Sequence, residues 1–397
     1  LRKWFIITCL ALAVAVTGCT QGGNEGTEKF QGTYSFRSDL ANTGIIHTAG
    51  LPNLKGEKWS LQLENKIHSS PILADGILYF GDEVGQFYAI SANNGKIIWQ
   101  QAFAGKIRAT AAVYENELYF TDTTSTLYAI DKTNGEVKWK KQLDDSLSSG
   151  AFTDPWDYYI SSPTIDQDVI YVGGEGPFFY ALSRLDGSII WEHETPMLFV
   201  HSKAAIADGK VFISDMTGVV AALDQKTGEP IWSQDYGAVQ SSIAYKDGIL
   251  YFGSRDQNAY AVDAQTGEIK WSYLTSGGSW VSSSAAVNDE YIAIGSSDSK
   301  FVHVFDPATG KSKFDFNAGS RVFGSPVIVD DIMYFGTAFT DKTVNKAGID
   351  AFYAVDLKTG KEKWRFAEAH SPILSTPVVA DGVVFFTTQD GHVYALK

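Results

Sequence analysis

Tyr260-Ala261-Val262-Asp263-Ala264-Gln265-Thr266-Gly267-Glu268-Ile269-Lys270-Trp271 recurs, with substitutions, along most of this 397-residue chain. A Gly followed four residues later by Trp appears at Gly95/Trp99, Gly135/Trp139, Gly187/Trp191, Gly228/Trp232, Gly267/Trp271 and Gly360/Trp364, with Gly310/Phe314 as a degenerate copy. Seven residues before each Gly stands Tyr88, Tyr128, Tyr180, Ala221, Tyr260, His303 or Tyr353. Upstream lies a β-rich run such as Leu78-Tyr79-Phe80, Leu250-Tyr251-Phe252 or Val384-Phe385-Phe386. Eight copies of that run occur, but only seven complete Gly-to-aromatic units.

A period of about forty residues marks a repeat architecture in which each unit buries its apolar face only against its neighbours. Each unit reads as four short antiparallel strands, a to d. Strand a has the Ser69-Ser70-Pro71-Ile72-Leu73 form, and strand d carries the Trp. Asp-Gly pairs such as Asp75-Gly76 supply the positive φ of two-residue hairpin turns. The last unit ends at Tyr394-Ala395-Leu396-Lys397 without its Trp, while Trp59 near the start has no run before it. If residues 57–63 form the missing outer strand of the final unit, the ring closes and two strand edges are hidden. The sequence therefore predicts an all-β fold, an eight-bladed β-propeller of four-stranded antiparallel blades over residues 34–397. The aromatics Trp59, Trp99, Trp139, Trp191, Trp232, Trp271, Phe314 and Trp364 are assigned to structural docking. Each is expected to cover the small residue after a strand-c Tyr (Ala89, Ala129 and their equivalents) at a blade–blade contact.

The first residues form a different region. Arg2 and Lys3 precede the apolar run Ile6 to Val16, which has the length of a signal-peptide core and is too short to span a bilayer. The run ends in Val16-Thr17-Gly18-Cys19, which resembles a bacterial lipobox. That resemblance implies that residues 1–18 are a leader, and that Cys19 becomes the acylated N-terminus and membrane anchor. Residues 19–33 are then the lipidated Cys and a polar tether. Cys9 and Cys19 are the two cysteines, so the mature chain has no disulfide to draw on. The chain carries 32 basic and 46 acidic residues, a net charge of −14; removing Arg2 and Lys3 makes it −16. Bulk electrostatics thus argue against a nucleic-acid partner.

Tyr128-Ala-Ile-Asp-x-x-x-Gly-x-x-x-Trp139, Tyr260-Ala-Val-Asp-x-x-Thr-Gly-x-x-x-Trp271 and its copy at 353–364 resemble the tryptophan-docking (PQQ-like) repeat of quinoprotein-type propellers. The segment Phe36-Arg37-Ser38-Asp39 with Thr43-Gly44 is similar to the leading segment of many secreted members. The resemblance points to two branches. One contains pyrroloquinoline-quinone alcohol and sugar dehydrogenases. The other contains non-catalytic envelope lipoproteins, including the propeller lipoprotein of the outer-membrane β-barrel assembly machine. For the enzyme branch it implies an adjacent-cysteine disulfide over the quinone, a Trp beneath it, and Glu, Asn and Asp ligands for Ca²⁺. This chain cannot make that disulfide, and no such ligand set stands out. It has no Gly-x-Ser-x-Gly, no His-Glu-x-x-His and no P-loop. The expectation is a non-enzyme with no cofactor and no metal, a monomeric scaffold in the cell envelope that binds other envelope proteins, an extended peptide or a glycan. A quinone-dependent dehydrogenase and an extracytoplasmic ligand-binding sensor are the alternatives.

Spacing also indicates a binding face. Residues 144–160 lengthen a d–a connection and residues 337–351 a b–c loop; in an up-down blade both lie on one face, and insertions on one face of a repeat array often mark its binding face. Aligning the starts of strand a puts Lys66, Lys106, Tyr158, Phe199, Trp280 and Arg321 at one offset. Two residues on, and so on the same strand face, come His68, Arg108, Ile160, His201, Gln240 and Phe323. Together with Trp156 in the first insertion, these positions are expected to form a basic, aromatic mouth to the central channel. Such a mouth suits an anionic or extended ligand.

Overall fold

A computed structural model describes residues 35–144, 160–196, 200–275, 280–339 and 350–397. These residues form eight four-stranded antiparallel sheets arranged as a propeller. Blade 1 consists of strands Ile72–Ala74, Ile77–Gly81, Gln86–Ser91 and Ile97–Ala102, a to d from the axis outward. Blades 2 to 7 repeat this order along the chain. Blade 8 takes strands a to c from Val378–Ala380, Val383–Thr387 and His392–Leu396, and strand d from Glu57–Gln62. Trp59 pairs with Ala395 and Leu61 with Val393, so the N-terminal strand closes the ring.

Local chemistry explains the blades. Asp75 and Gly76 take φ of +51° and +76°, a turn that matches the twist of the flanking strands. Strands b and c are buried on both faces, hence runs such as Leu78-Tyr79-Phe80 in place of alternation. The repeat Tyr supports the b–c turn: Tyr88 donates its hydroxyl to Asp82 Oδ2 at 3.1 Å, while Asp82 Oδ1 accepts the amides of Val84 and Gln86. Tyr128 serves Asp122 in the same way.

The docking tryptophans make a contact other than the expected one. Trp99 lies directly across from Ala89 within its own blade, and its ring reaches on to the c–d turn of the next. A Cβ on Gly135 would sit 2.8 Å from the Trp99 ring, so the glycine is the surface being covered. The indole Nε1 then donates to the carbonyl three residues before that glycine, Trp99 to Lys132 at 3.0 Å and Trp232 to Ala264 at 3.1 Å. The same bond recurs for Trp59, Trp139, Trp191 and Trp271. Phe314 packs on Gly360 without that bond. The small residue is thus needed for the ring to lie flat on its own strand, and the Gly for it to reach the next blade.

Near the axis a belt of hydroxyls joins the blades. The first Ser of each Ser-Ser pair holds strand a to strand b: Ser69 Oγ donates to the Gly81 carbonyl and accepts its amide. The second residue links blades, with Ser242 Oγ accepting the Lys203 amide, Ser284 Oγ that of Ser242 and Ser325 Oγ that of Ser284. On the a–b turn side, the described chain from Ser35 onward forms a strap that runs beneath five blades. Its carbonyls at Leu40, Ala41, Thr43, Gly44 and Ala49 accept amides of Ile206, Tyr245, Val287, Ile328 and Gly382. The strap then becomes the outer strand of blade 8.

Candidate functional site

The two insertions fall between strands Val137–Gln142 and Thr164–Asp166, and between Ile332–Gly336 and Phe352–Asp356, both on the face opposite the strap. Residues 145–159 and 340–349 within them, and with them Trp156 and Tyr158, lie outside the described residues, as do Cys19 and Phe199.

The remaining predicted positions form two layers at the channel mouth. Lys66 and Lys106 are exposed at the rim, and Trp280 and Arg321 border a depression with Asp298 and Phe323. One layer deeper, Arg108, Ile160, His201, Gln240 and Phe323 line the channel together with Ser282. His68 is buried beside Arg108.

The b–c loops add a set of acids that the strand-a alignment did not include. Glu83 receives Arg108 twice, Nε to Oε1 at 2.8 Å and an NH2 to Oε2 at 2.9 Å. It also meets His68 Nδ1 at 2.9 Å and the more exposed Lys106 at 3.7 Å. Burial works against the Glu83 carboxylate, but hydrogen bonds and charge from His68 and Arg108 outweigh it and hold the group down at about 2. Glu175 faces His201 at 3.3 Å and Asp298 faces Arg321 at 3.6 Å. Arg255 lies 4.4 Å over the Trp280 ring and donates to Gln240 at 2.8 Å. The mouth is therefore a ring of charge pairs and aromatic surface rather than a uniformly basic collar. The signal was available: b–c loops share a face with the starts of strand a, so Glu83 and Glu175 belong beside the bases.

Beneath this layer lies the hydroxyl belt, with one substitution. Where other blades carry Ser70, Thr110, Ser162 or Ser242, blade 4 carries Lys203. Its ammonium donates to the carbonyls of Phe36 and Asp39 at 2.8 and 3.0 Å and to Asn42 Oδ1 at 2.8 Å. Lys203 is 1% exposed. Burial pushes its amine down to about 7, opposed by the charge of Asp39 and aided by that of Arg37. Arg37, also buried, donates to the carbonyls of Pro326 and Ala285. Phe36 projects into the channel. The strap, fixed by Arg37 and Lys203, thus closes the channel at the end away from the loops.

Between the Arg108–Phe323 layer and Phe36 the channel leaves about 30 Å³, room for water rather than for a cofactor, since small-molecule pockets start at roughly 300 Å³. Among the described residues no three His, Cys, Asp or Glu side chains converge as a metal site. The described channel residues do not fit a quinone held with Ca²⁺.

Comparison with known proteins agrees with this architecture. The family described as outer membrane protein assembly factor BamB matches residues 53–273, 199–313 and 335–397. A tetrathionate hydrolase from Acidithiobacillus ferrooxidans is 26% identical over 350 residues, 80% of this chain and 62% of that protein. The assembly factor BamB of Shewanella oneidensis is 23% identical over 248 residues, 58% of this chain and 59% of that one. The chain thus spans about three fifths of the length of these curated relatives. Among solved structures, BamB from Moraxella catarrhalis superposes with a TM-score of 0.66 at 19% identity, covering 86% of this chain and 97% of that one. The quinohemoprotein alcohol dehydrogenase of Comamonas testosteroni gives 0.72 at 12% identity, covering 92% and 80%. At such identities the structural likeness carries the fold alone. From the family match over most of its propeller, the chain belongs to the PQQ-like repeat family described as outer membrane protein assembly factor BamB.

Proposed function

We propose that the chain is a non-enzymatic binding scaffold of the cell envelope that takes part in outer-membrane protein assembly. The observation that carries this reading is the blind channel. Phe36 and the strap close one end, and the other opens onto a rim of paired charges, exposed lysines and Trp280, a surface suited to holding a partner. The BamB relatives supply the assembly context, and the tetrathionate hydrolase among the relatives supplies the competing one. The anchor in this reading is a lipid on Cys19, from the Val16-Thr17-Gly18-Cys19 motif. It would hold the propeller on the outer membrane facing the periplasm in a Gram-negative host, or outside the plasma membrane in a Gram-positive one.

Two measurements separate the readings. Affinity capture of the tagged full chain from solubilised envelope membranes is expected to recover a β-barrel assembly component. Titration of the purified chain with pyrroloquinoline quinone and Ca²⁺, followed by an alcohol-oxidation assay, is expected to give neither binding nor turnover. Stoichiometric quinone binding with turnover would overturn the scaffold reading.

A further inference from the structure

Six seams between blades present, on the a–b turn side, a docking Trp and the c–d turn residue to which it donates. In two successive seams that turn residue is a cation which fills the seam. Lys132 of blade 2 extends its ammonium to Asp75 of blade 1 and to the Glu115 carbonyl, both at 2.7 Å. Arg184 of blade 3 donates to Glu117 of blade 2 at 3.0 Å and to Asp168 at 2.9 Å, and lies 4.4 Å over the Tyr114 ring.

In the seam between blades 3 and 4 the equivalent residue is Gln225. Its carbonyl accepts the Trp191 indole, but its side chain is short and neutral and, among the described residues, donates to Asp166 at 2.7 Å. What opens there is a groove of about 720 Å³. Tyr171, Ile190 and Trp191 line one side of it, and Asp166, Asp208 and Asp224 stand around it. Asp208 Oδ2 accepts the Tyr245 hydroxyl and Asp224 Oδ1 the amides of Lys226 and Thr227, so an incoming cation would share these carboxylates with those donors. Asp168 at the edge is already held by Arg184, and the cation lining the groove is Lys226 on the c–d turn. Three carboxylates beside an aromatic surface thus surround the position that a lysine or arginine of the chain itself occupies in the two preceding seams.

We propose that this groove docks an arginine or lysine side chain from a basic segment of a partner protein, received by Asp166, Asp208 and Asp224 rather than by counterparts of Asp75 and Glu117, whose places in blade 3 are taken by Gln167 and Val169. Charge complementarity names the occupant: carboxylates from both blades can receive a guanidinium or ammonium whose flat or methylene part lies on Tyr171 and Trp191. A neutral or acidic segment gains nothing from the carboxylates. The groove lies at the end of the blades opposite the channel mouth, so the proposal stands or falls apart from the loop-face reading.

The test is a fluorescence-anisotropy titration of the full chain with a labelled, amidated Gly/Arg hexapeptide, beside the same peptide with citrulline for arginine. Because an acidic chain attracts any basic peptide, the contrast lies in two single-charge variants. Gln225→Arg, which supplies the missing cation from within, is expected to weaken arginine-peptide binding at least tenfold. Gln100→Arg, on an exposed outer strand of blade 1, is expected to leave it unchanged. Asp208→Asn, at a position where φ is +50° and Asn is well tolerated, gives an independent loss of several fold. Equal binding of the citrulline peptide would overturn the proposal, as would wild-type affinity in Gln225→Arg. So would sedimentation showing that the groove pairs two copies of the chain, with Gln225→Arg abolishing that dimer.

Discussion

Trp364 of blade 7 donates its indole N–H to the carbonyl of Leu51 in the strap, at 2.7 Å and 313 residues away in sequence. For the other docking tryptophans that carbonyl belongs to the c–d turn of the next blade. Blade 8 has no such turn, because its strand d arrives from the N-terminus. The strap therefore supplies both the last outer strand and the acceptor that the last Trp requires. Ring closure rests on these two substitutions made by one segment.

Removing that bond alone should be measurable. Trp364→Phe keeps most of the ring, as Phe314 does naturally, but leaves the buried Leu51 carbonyl without its donor. A loss of about 1–2 kcal/mol is expected in denaturant unfolding. Trp364→Ala also loses the packing and is expected to cost about 3–5 kcal/mol.

Glu83 makes the channel mouth sensitive to acid. Its carboxyl is held at about 2 against an ordinary 4.5, so it contributes stability above about 4.5 that is lost as pH falls toward 2. The contribution is about 3 kcal/mol in order of magnitude. Unfolding free energies measured from pH 6 to pH 2 should fall less steeply in Glu83→Gln than in wild type, with the variant already weaker at pH 6.

Lys203 acts in the opposite direction. Its folded amine titrates near 7, whereas an exposed lysine titrates near 10.5. Between these values the unfolded chain binds the extra proton, so the Lys203 contribution to stability rises with pH through that window. Lys203→Met is expected to flatten the slope of unfolding free energy between about pH 7 and about pH 9, below the range in which tyrosines titrate.

The repeat, the count of eight and closure through Trp59 were legible because each is a periodic fact about residue type. The Trp contact was misjudged because the Ala and the Gly of one unit are close in sequence, while the glycine a Trp covers belongs to the following unit. Lys203 was visible as the break in the Ser-Ser pattern at Ser202-Lys203, yet its partners Phe36, Asp39 and Asn42 lie more than 160 positions away, and no local rule joins them. Ala221 was likewise visible where most units have Tyr. Its effect appears only in three dimensions: Asp215 Oδ1 accepts the amides of Thr217, Gly218 and Val219, while the buried Oδ2 has no hydrogen-bond partner among the described residues where a Tyr hydroxyl would stand. The acids at the mouth were missed for a similar reason, since Glu83 and Arg108 meet across two blades.

The central claim, that the loop-face mouth holds a partner, is tested most directly by repeating the membrane capture with Lys66, Lys106, Trp280 and Arg321 all changed to Ala. These side chains are exposed or half-buried at the rim, so the fold should be kept, as circular dichroism would verify. The account predicts that the assembly component recovered by the wild-type chain falls at least tenfold with the fourfold variant. Recovery of the same component at the wild-type level by a folded variant would contradict it.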